Sequence, residues 1–111
     1  MDEFITQWNA VAKSIHQTAI EKGWYDESGQ RNLGEAICLV HSELSEALEA
    51  LRTGNGPSDK IPEFSGVEEE LADAVVRIMD LSVAMGYRVG EALVRKIEFN
   101  KTRPPKHGKQ F

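Results

Sequence analysis

Two pairs of acidic residues have the spacing and chemistry of a metal site. Glu43 and Glu46 form one pair, and Glu70 and Asp73 form the other, in segments with helical periodicity. Residues three positions apart lie on one side of an α-helix, one turn from each other. Four converging carboxylates would repel one another and lose hydration, and a divalent cation relieves both costs. Since Mg²⁺ and Mn²⁺ prefer oxygen ligands, the pairs predict a site for Mg²⁺, with Mn²⁺ as the alternative.

Glu43 stands within the apolar side of its helix, where a carboxylate is unusual. At about 100° per residue, six apolar residues lie roughly 40° to 140° from Glu43, and Leu39 lies roughly 40° away on its other side. The six are Ile37, Val40, Leu44, Ala47, Leu48 and Leu51. Glu46 lies at the edge of this side. A single Glu-x-x-Glu is common on exposed helices, so the second acidic pair is what favours a functional interpretation.

The helix that carries the second pair has an apolar sector far wider than a surface helix needs, which predicts a central position in the fold. Its narrow remaining sector is charged. That sector contains Glu69, Glu70, Asp73, Arg77 and Asp80. Because a central helix exposes little surface, the charged sector faces either water at the edge of the fold or a polar cavity.

A third group of polar residues follows near the C-terminus. Lys96, Asn100 and Arg103 are spaced at i, i+4 and i+7, which places them within roughly 60° of one another on a helix. Lys and Arg donors on one stripe suit phosphate oxygens, and Asn adds a directed hydrogen bond. The alternative is a set of basic residues stabilised by the dipole at a helix C-terminus.

Apolar periodicity and stop signals predict the four helices that must position these side chains. The predicted ranges are 3–22, 32–52, 65–85 and 88–103. Asn32 and Ser65 are each followed three residues later by Glu, the capping-box pattern of a helix start. Gly23, Gly86 and the Pro104–Pro105 pair mark ends. No strand pattern competes, so the sequence predicts an all-α, four-helix bundle with one domain over residues 1–111.

Composition excludes several classes of protein. The chain has 111 residues, 41% of them hydrophobic, and a net charge of −5, which argues against a nucleic-acid binder. No apolar run approaches the roughly 18 residues of a transmembrane helix. The acidic N-terminus is unlike a secretory signal, and the single Cys38 forms no intrachain disulfide, so a cytoplasmic location is expected. Residues 88–111 carry a local charge of +5, either as a solvated tail or as a segment that folds toward an acidic cleft.

In this order, the motifs resemble the MazG-like family of all-α nucleoside triphosphate pyrophosphohydrolases. The matching segments are SELSEALEALR at 42–52, EEELADAVVRIMDL at 68–81 and KIEFNKTRPPKHGKQF at 96–111. The resemblance implies Mg²⁺-dependent cleavage of a (d)NTP to a (d)NMP and pyrophosphate, and a housecleaning role in the nucleotide pool. It also implies a homodimer or homotetramer.

Carried over by position, the resemblance makes Glu43, Glu46, Glu70 and Asp73 the Mg²⁺ ligands or the groups that activate water. It makes Lys96, Asn100 and Arg103 the phosphate contacts. Glu43 is the preferred proton acceptor over Glu46, because apolar surroundings should raise its proton affinity.

Trp24 and Asn32 flank the loop before the second helix and are the candidates for holding the base. Trp offers a stacking plane and Asn a hydrogen-bonding edge. The more usual role of a Trp at such a position is to anchor a helix end in the core, and this alternative is favoured for Trp24 on sequence alone. His16 and His41 have no spacing that matches either acidic pair and are assigned no role.

Three alternatives to this function are retained. Phosphoribosyl-ATP pyrophosphohydrolase and dimeric dUTPase would share the four-carboxylate centre and differ in the loops. A helical interaction module with an acidic surface would be no enzyme. A di-iron bundle is disfavoured, because such sites use Glu-x-x-His and neither acidic pair has His at the fourth position.

Overall fold

The computed structural model describes all 111 residues, and they are helical with no β-strand. The helices are α1 (Asp2–Glu21), α2 (Leu33–Arg52), α3 (Gly66–Met85) and α4 (Val89–Asn100). A short 3₁₀ turn, Pro105–Gly108, follows. The predicted all-α class and the four predicted helices are therefore confirmed.

Local capping explains where α2 and α3 begin and where α3 ends. The Asn32 side chain accepts a hydrogen bond from the backbone N–H of Glu35 at 2.9 Å, although the reciprocal bond of a full capping box is absent. Ser65 and Glu68 form the complete box. Gly86 ends α3 with φ of 69°, a left-handed conformation that glycine adopts without a steric penalty.

The fourth helix is shorter than predicted, since it ends at Asn100 rather than at Arg103. Pro104 explains the difference, because a proline disfavours the helical conformation of the residue before it and offers no N–H for a further helical bond. The Thr102 hydroxyl donates to the Phe99 carbonyl at 2.7 Å and closes the last turn. Arg103 therefore lies in a turn rather than on the stripe that the helical spacing predicted.

Helix α3 is central, as predicted, because it packs against both α1 and α2, while α4 packs against α1. The buried apolar residues are few and mostly small. They are Ala12, Ala36, Ala47, Ala74, Met79 and Leu81. Small side chains let the helices approach closely, which brings the charged sector of α3 against its neighbours.

Replacing Gly90 with Ala is expected to loosen the packing of α4 against α1. A Cβ at this position would lie 2.8 Å from Trp8 Cδ1, and Gly90 itself is buried. Forcing a methyl group into such a contact costs about 1–3 kcal/mol. Urea unfolding at fixed protein concentration measures the loss. Gly56→Ala is the matched control, since a Cβ there meets open space, and an equal loss in both variants would contradict the close contact.

Much of the apolar surface of α2 and α3 is not covered within one chain. Leu48 and Leu51 are 57% and 58% exposed, and Leu71 is 47% exposed. The radius of gyration is 16.3 Å, whereas a compact chain of this length would have about 13 Å. The wide apolar sector predicted for α3 is thus only partly buried. None of the helices combines the length and the apolar character needed to span a membrane.

Candidate functional site

Three of the four predicted carboxylates meet between α2 and α3. One carboxylate oxygen from each of Glu43, Glu46 and Glu70 lies within 4.8 Å of the others. Glu70 also belongs to a second group of the same dimensions, with Glu69 and Asp73. All four predicted ligands are therefore connected through Glu70, and Glu69 is an addition that the sequence analysis did not select.

The surroundings of Glu43 explain a carboxylate on the apolar side of α2. Its side chain points at α3, where Oε1 accepts a hydrogen bond from Arg77 Nε at 2.9 Å. Only 7% of the residue is exposed, and its second oxygen, Oε2, is buried without a partner. Glu70 Oε2 is likewise buried and unpartnered. A proton held between the two carboxyl groups satisfies these oxygens while Glu70 is protonated, since Glu70 then donates a hydrogen bond to Glu43. Once Glu70 is ionised, the oxygens lack a donor, and a cation is the partner that would offset their burial.

The carboxyl groups of this acidic cluster differ in the direction in which their pKa values are shifted. Burial, together with hydrogen bonds and charge repulsion from Glu43 and Glu46, raises the pKa of Glu70 to about 8. Burial alone would raise the pKa of Glu43, but hydrogen bonds from Glu70 and Arg77 outweigh burial and lower this pKa. The expectation that apolar surroundings raise the proton affinity of Glu43 is therefore wrong. Burial and the charges of Glu43 and Glu69 raise the pKa of Asp73.

Glu69 serves mainly to hold the loop between α2 and α3. It accepts a short hydrogen bond from the Ser58 hydroxyl, and its other oxygen lies 3.4 Å from Lys60 Nζ. The Ser58 hydroxyl in turn accepts bonds from the backbone N–H groups of Lys60 and Ile61 at 3.2 and 3.1 Å. Both Glu69 oxygens are thus engaged, which leaves Asp73 as the freer carboxylate of that group.

The arrangement fits a hard divalent cation. Its potential ligands are all carboxylate oxygens, and neither group includes a His or Cys, which softer metals favour. The unpartnered oxygens of Glu43 and Glu70 are the two atoms that an ion would satisfy. Glu46 is exposed, so the cluster is open to solvent on one side and can admit water.

A cavity of about 420 Å³ adjoins the cluster between α1, α3 and the loops before α2 and α3. Its volume lies within the range of small-molecule sites. The lining residues are Ile15, Thr18, Ala19, Lys22, Trp24, Arg31, Glu43, Lys60, Asp73, Val76, Arg77 and Asp80. Asp73, Arg77 and Asp80 of the charged sector of α3 thus line this cavity, whereas Glu69 and Glu70 of the same sector do not.

Trp24 lies at this cavity and is 48% exposed, so it is not the core anchor that the sequence allowed as an alternative. The guanidinium carbons of Arg31 and Arg77 lie 5.3 and 5.2 Å from its ring centroid. Contacts of this length between a guanidinium and an indole are cation–π interactions. The ring is thereby held in place while half of its surface stays accessible.

A buried carboxylate that sequence analysis left without a role fixes the loop beside Trp24. Asp80 is 5% exposed and has three side-chain partners, one from α1 and two from the loop between α1 and α2. His16 Nδ1 lies 2.7 Å from Oδ1, and Oδ2 accepts bonds from the Tyr25 hydroxyl at 2.8 Å and Arg31 Nη1 at 3.2 Å. Asp80 thus joins α1, the loop and α3. Its place in the charged sector of α3 was the only signal available in the sequence.

The remaining predicted substrate contacts lie elsewhere in the chain. Asn32 is exposed and uses its side-chain oxygen to cap α2. Lys96 and Arg103 lie over the Phe99 ring, 4.8 and 5.7 Å from its centroid, and neither they nor Asn100 lines the cavity. Within one chain, the structure therefore does not bring the basic stripe to the acidic cluster.

Comparison of the chain with models of known protein families, with curated proteins and with solved structures found no match. The resemblance described above therefore rests on the motifs alone, and the site has to be interpreted from its own geometry.

Proposed function

We propose that this chain is a Mg²⁺-dependent nucleoside triphosphate pyrophosphohydrolase that cleaves (d)NTP to (d)NMP and pyrophosphate. The observation that carries the proposal is the acidic cluster itself: carboxylate oxygens of Glu43, Glu46 and Glu70 lie within 4.8 Å of one another. Beside the cluster is a cavity lined by basic side chains and by the Trp24 indole. Phosphoryl transfer to water needs positioning and charge neutralisation more than a protein nucleophile, and this arrangement supports both.

In this proposal Glu43, Glu46, Glu70 and Asp73 hold Mg²⁺, with Mn²⁺ as a substitute. A bound ion would neutralise phosphate charge and lower the pKa of a water molecule in its shell. The carboxylates would orient that water, and Glu43 would accept its proton through Oε2 where this oxygen is not itself a ligand of the ion, since Oε1 is held by Arg77. Because hydrogen bonds from Glu70 and Arg77 lower its pKa, Glu43 is a weaker base in the free protein than its burial alone would make it.

The cavity is the proposed nucleoside site. Trp24, which is 48% exposed, supplies an indole at the cavity for contact with the base. Arg77 connects it to the acidic cluster, because its guanidinium lies 5.2 Å from the ring centroid and hydrogen-bonds to Glu43. A substrate with its base on Trp24 and its phosphates at the acidic cluster would lie along this wall. We propose a deoxynucleoside triphosphate as the substrate. Because Lys96, Asn100 and Arg103 do not line the cavity of their own chain, they would contact this substrate from another copy of the chain.

We further propose that the chain is a homodimer or homotetramer, and light scattering at micromolar concentration should give at least twice the mass of one chain. The support is the exposed apolar surface of α2 and α3 and the large radius of gyration. Leu48→Glu, on the exposed face of α2, should weaken the assembly because it places a charge in the apolar contact. Glu49→Lys on the same helix is the charge-change control. A wild-type mass of one chain would contradict this proposal.

Incubation of the protein with each ribo- and deoxyribonucleoside triphosphate, with dUTP and with phosphoribosyl-ATP, in Mg²⁺, tests the function. We expect pyrophosphate and a nucleoside monophosphate as products, with EDTA abolishing turnover. Release of single phosphate would contradict cleavage between the α- and β-phosphates. Absence of turnover with every nucleotide would instead favour a helical interaction module.

A further inference from the structure

The cavity beside the acidic cluster carries four basic side chains that the sequence motifs did not select. They are Lys22, Arg31, Lys60 and Arg77. Arg31 is committed to the fold, since its side chain is only 9% exposed and is paired with Asp80. Lys60 and Arg77 differ from it, because each contacts a carboxylate of the acidic groups directly.

Arg77 has hydrogen-bonding capacity that the protein does not use. A guanidinium offers five N–H donors, and the only hydrogen bond of this side chain runs from Nε to Glu43. The four N–H donors of its two Nη atoms have no protein acceptor. The side chain is 24% exposed at the cavity wall, and its Cζ lies 5.2 Å from the Trp24 ring centroid. Arg77 thus lies between the proposed metal ligands and the proposed stacking face.

Lys60 is positioned by its backbone and free at its end. The Ser58 hydroxyl, itself bound to Glu69, accepts a bond from the Lys60 backbone N–H at 3.2 Å. The side chain is 81% exposed, and its Nζ lies 3.4 Å from Glu69 Oε2, a long ion pair at the limit of hydrogen bonding. A long, solvated ion pair of this kind contributes little, so the ammonium can move to a stronger anion at small cost.

We propose that Arg77 and Lys60 contact the phosphates of the bound nucleotide, Arg77 at the phosphate next to the nucleoside and Lys60 from the loop between α2 and α3. This inference rests on the proposed function and specifies its substrate contacts. Arginine suits phosphate because its planar fork matches two phosphate oxygens, while lysine acts as a point charge. Both cations belong to the same chain as the acidic cluster, unlike the stripe of Lys96, Asn100 and Arg103.

Calorimetric titration with inorganic triphosphate at fixed free Mg²⁺ tests this inference without requiring turnover or knowledge of the base. Arg77→Met should weaken binding at least ~10-fold, the expected loss of a charge-assisted hydrogen bond. Lys60→Met should weaken it about 3- to 10-fold, the smaller loss expected of an exposed side chain that contributes no more than an ordinary hydrogen bond. Arg77→Lys should recover part of the affinity. Lys13→Met, on α1 and outside the cavity, is the matched control and should bind as the wild type does.

A measurement with Mg²⁺ and no triphosphate distinguishes loss of a phosphate contact from damage to the metal site. The thermal shift produced by Mg²⁺ without triphosphate should persist in Arg77→Met and Lys60→Met. Because the Lys60 side chain is 81% exposed, Lys60→Met should fold like the wild type. If Arg77→Met fails to fold, the binding of triphosphate by Lys60→Met tests the inference. Wild-type binding with no loss in Lys60→Met and Arg77→Met would overturn this inference and leave the proposed function standing. Loss of triphosphate binding only in Lys96→Met would overturn this inference and place the phosphate contacts on α4. Absence of triphosphate binding by the wild type would overturn both this inference and the proposed function.

Discussion

Replacing Glu70 with Gln is expected to abolish hydrolysis and, at the same time, to make the metal-free protein more stable at pH 8.5. The amide keeps the shape of the carboxyl group and can still donate to Glu43, but it carries no charge into the cluster and is a poor metal ligand. Loss of a group that orients a metal ligand already costs 10- to 100-fold, so loss of a ligand should cost at least ~100-fold in turnover.

The gain in stability follows from linkage between protonation and folding. The pKa of Glu70 is raised from 4.5 to about 8, so between these values the folded state holds a proton that the unfolded state has released. The free energy of unfolding therefore falls as pH rises through this window. The wild type should lose stability between pH 5 and pH 8.5 in EDTA, and Glu70→Gln should lose less, because position 70 no longer titrates.

Thermal unfolding in EDTA and in Mg²⁺ at several pH values measures both effects. Mg²⁺ should raise the melting temperature of the wild type most at high pH, where the carboxylates are ionised, and should leave Glu70→Gln unchanged. Helical circular dichroism serves as the control for folding. A variant that retains full turnover, or that is less stable than the wild type at pH 8.5 without metal, would contradict this description of the cluster.

Replacing Asp80 with Ala should destabilise the protein by about 3–5 kcal/mol, the usual cost of leaving one partner of a buried ion pair alone. The substitution leaves Arg31, Tyr25 and His16 without their common acceptor, and Arg31 is nearly buried. With a total stability of about 5–15 kcal/mol for a domain, this is a large fraction. Urea unfolding at fixed concentration measures it.

Release of the loop between α1 and α2 gives a second, local readout of the same substitution. Trypsin should cut after Arg31 in Asp80→Ala faster than in the wild type, because that side chain is no longer held against α3. Asp59→Ala, an exposed aspartate with no side-chain hydrogen bond, is the matched control and should change stability by less than about 0.5 kcal/mol. Equal effects of the two substitutions would contradict a structural role for the Asp80 network.

The helices were predictable from sequence where short-range chemistry determines them. Ser65 with Glu68, Asn32 as a cap and Gly86 in the left-handed region are local signals, and the structure uses each. The end of α4 was mispredicted because the periodicity continues to Arg103, while Pro104, the next residue, disfavours the helical conformation at Arg103 and the helix ends at Asn100.

The site was predictable only in part, because periodicity gives the angle of a side chain on its own helix but not its neighbour on another. The spacing of Glu43 with Glu46 identified the cluster, and Glu70 joined it as expected. The contact of Arg77 with Glu43 depends on the register of α3 against α2, which no local pattern encodes. The Asp80 network depends on packing among α1, a loop and α3, at separations of 49 to 64 residues.

Binding of Mn²⁺ to the wild type and to two variants, followed by electron paramagnetic resonance, tests most directly whether the acidic cluster holds a divalent ion. At pH 8.5 the signal of free Mn²⁺ should fall as wild-type protein is added. Glu70→Gln should leave the signal nearly unchanged, whereas Glu49→Gln, on the exposed side of α2, should behave as the wild type. Equal binding by the wild type and Glu70→Gln, or no binding by either, would contradict the metal site on which the proposed chemistry depends.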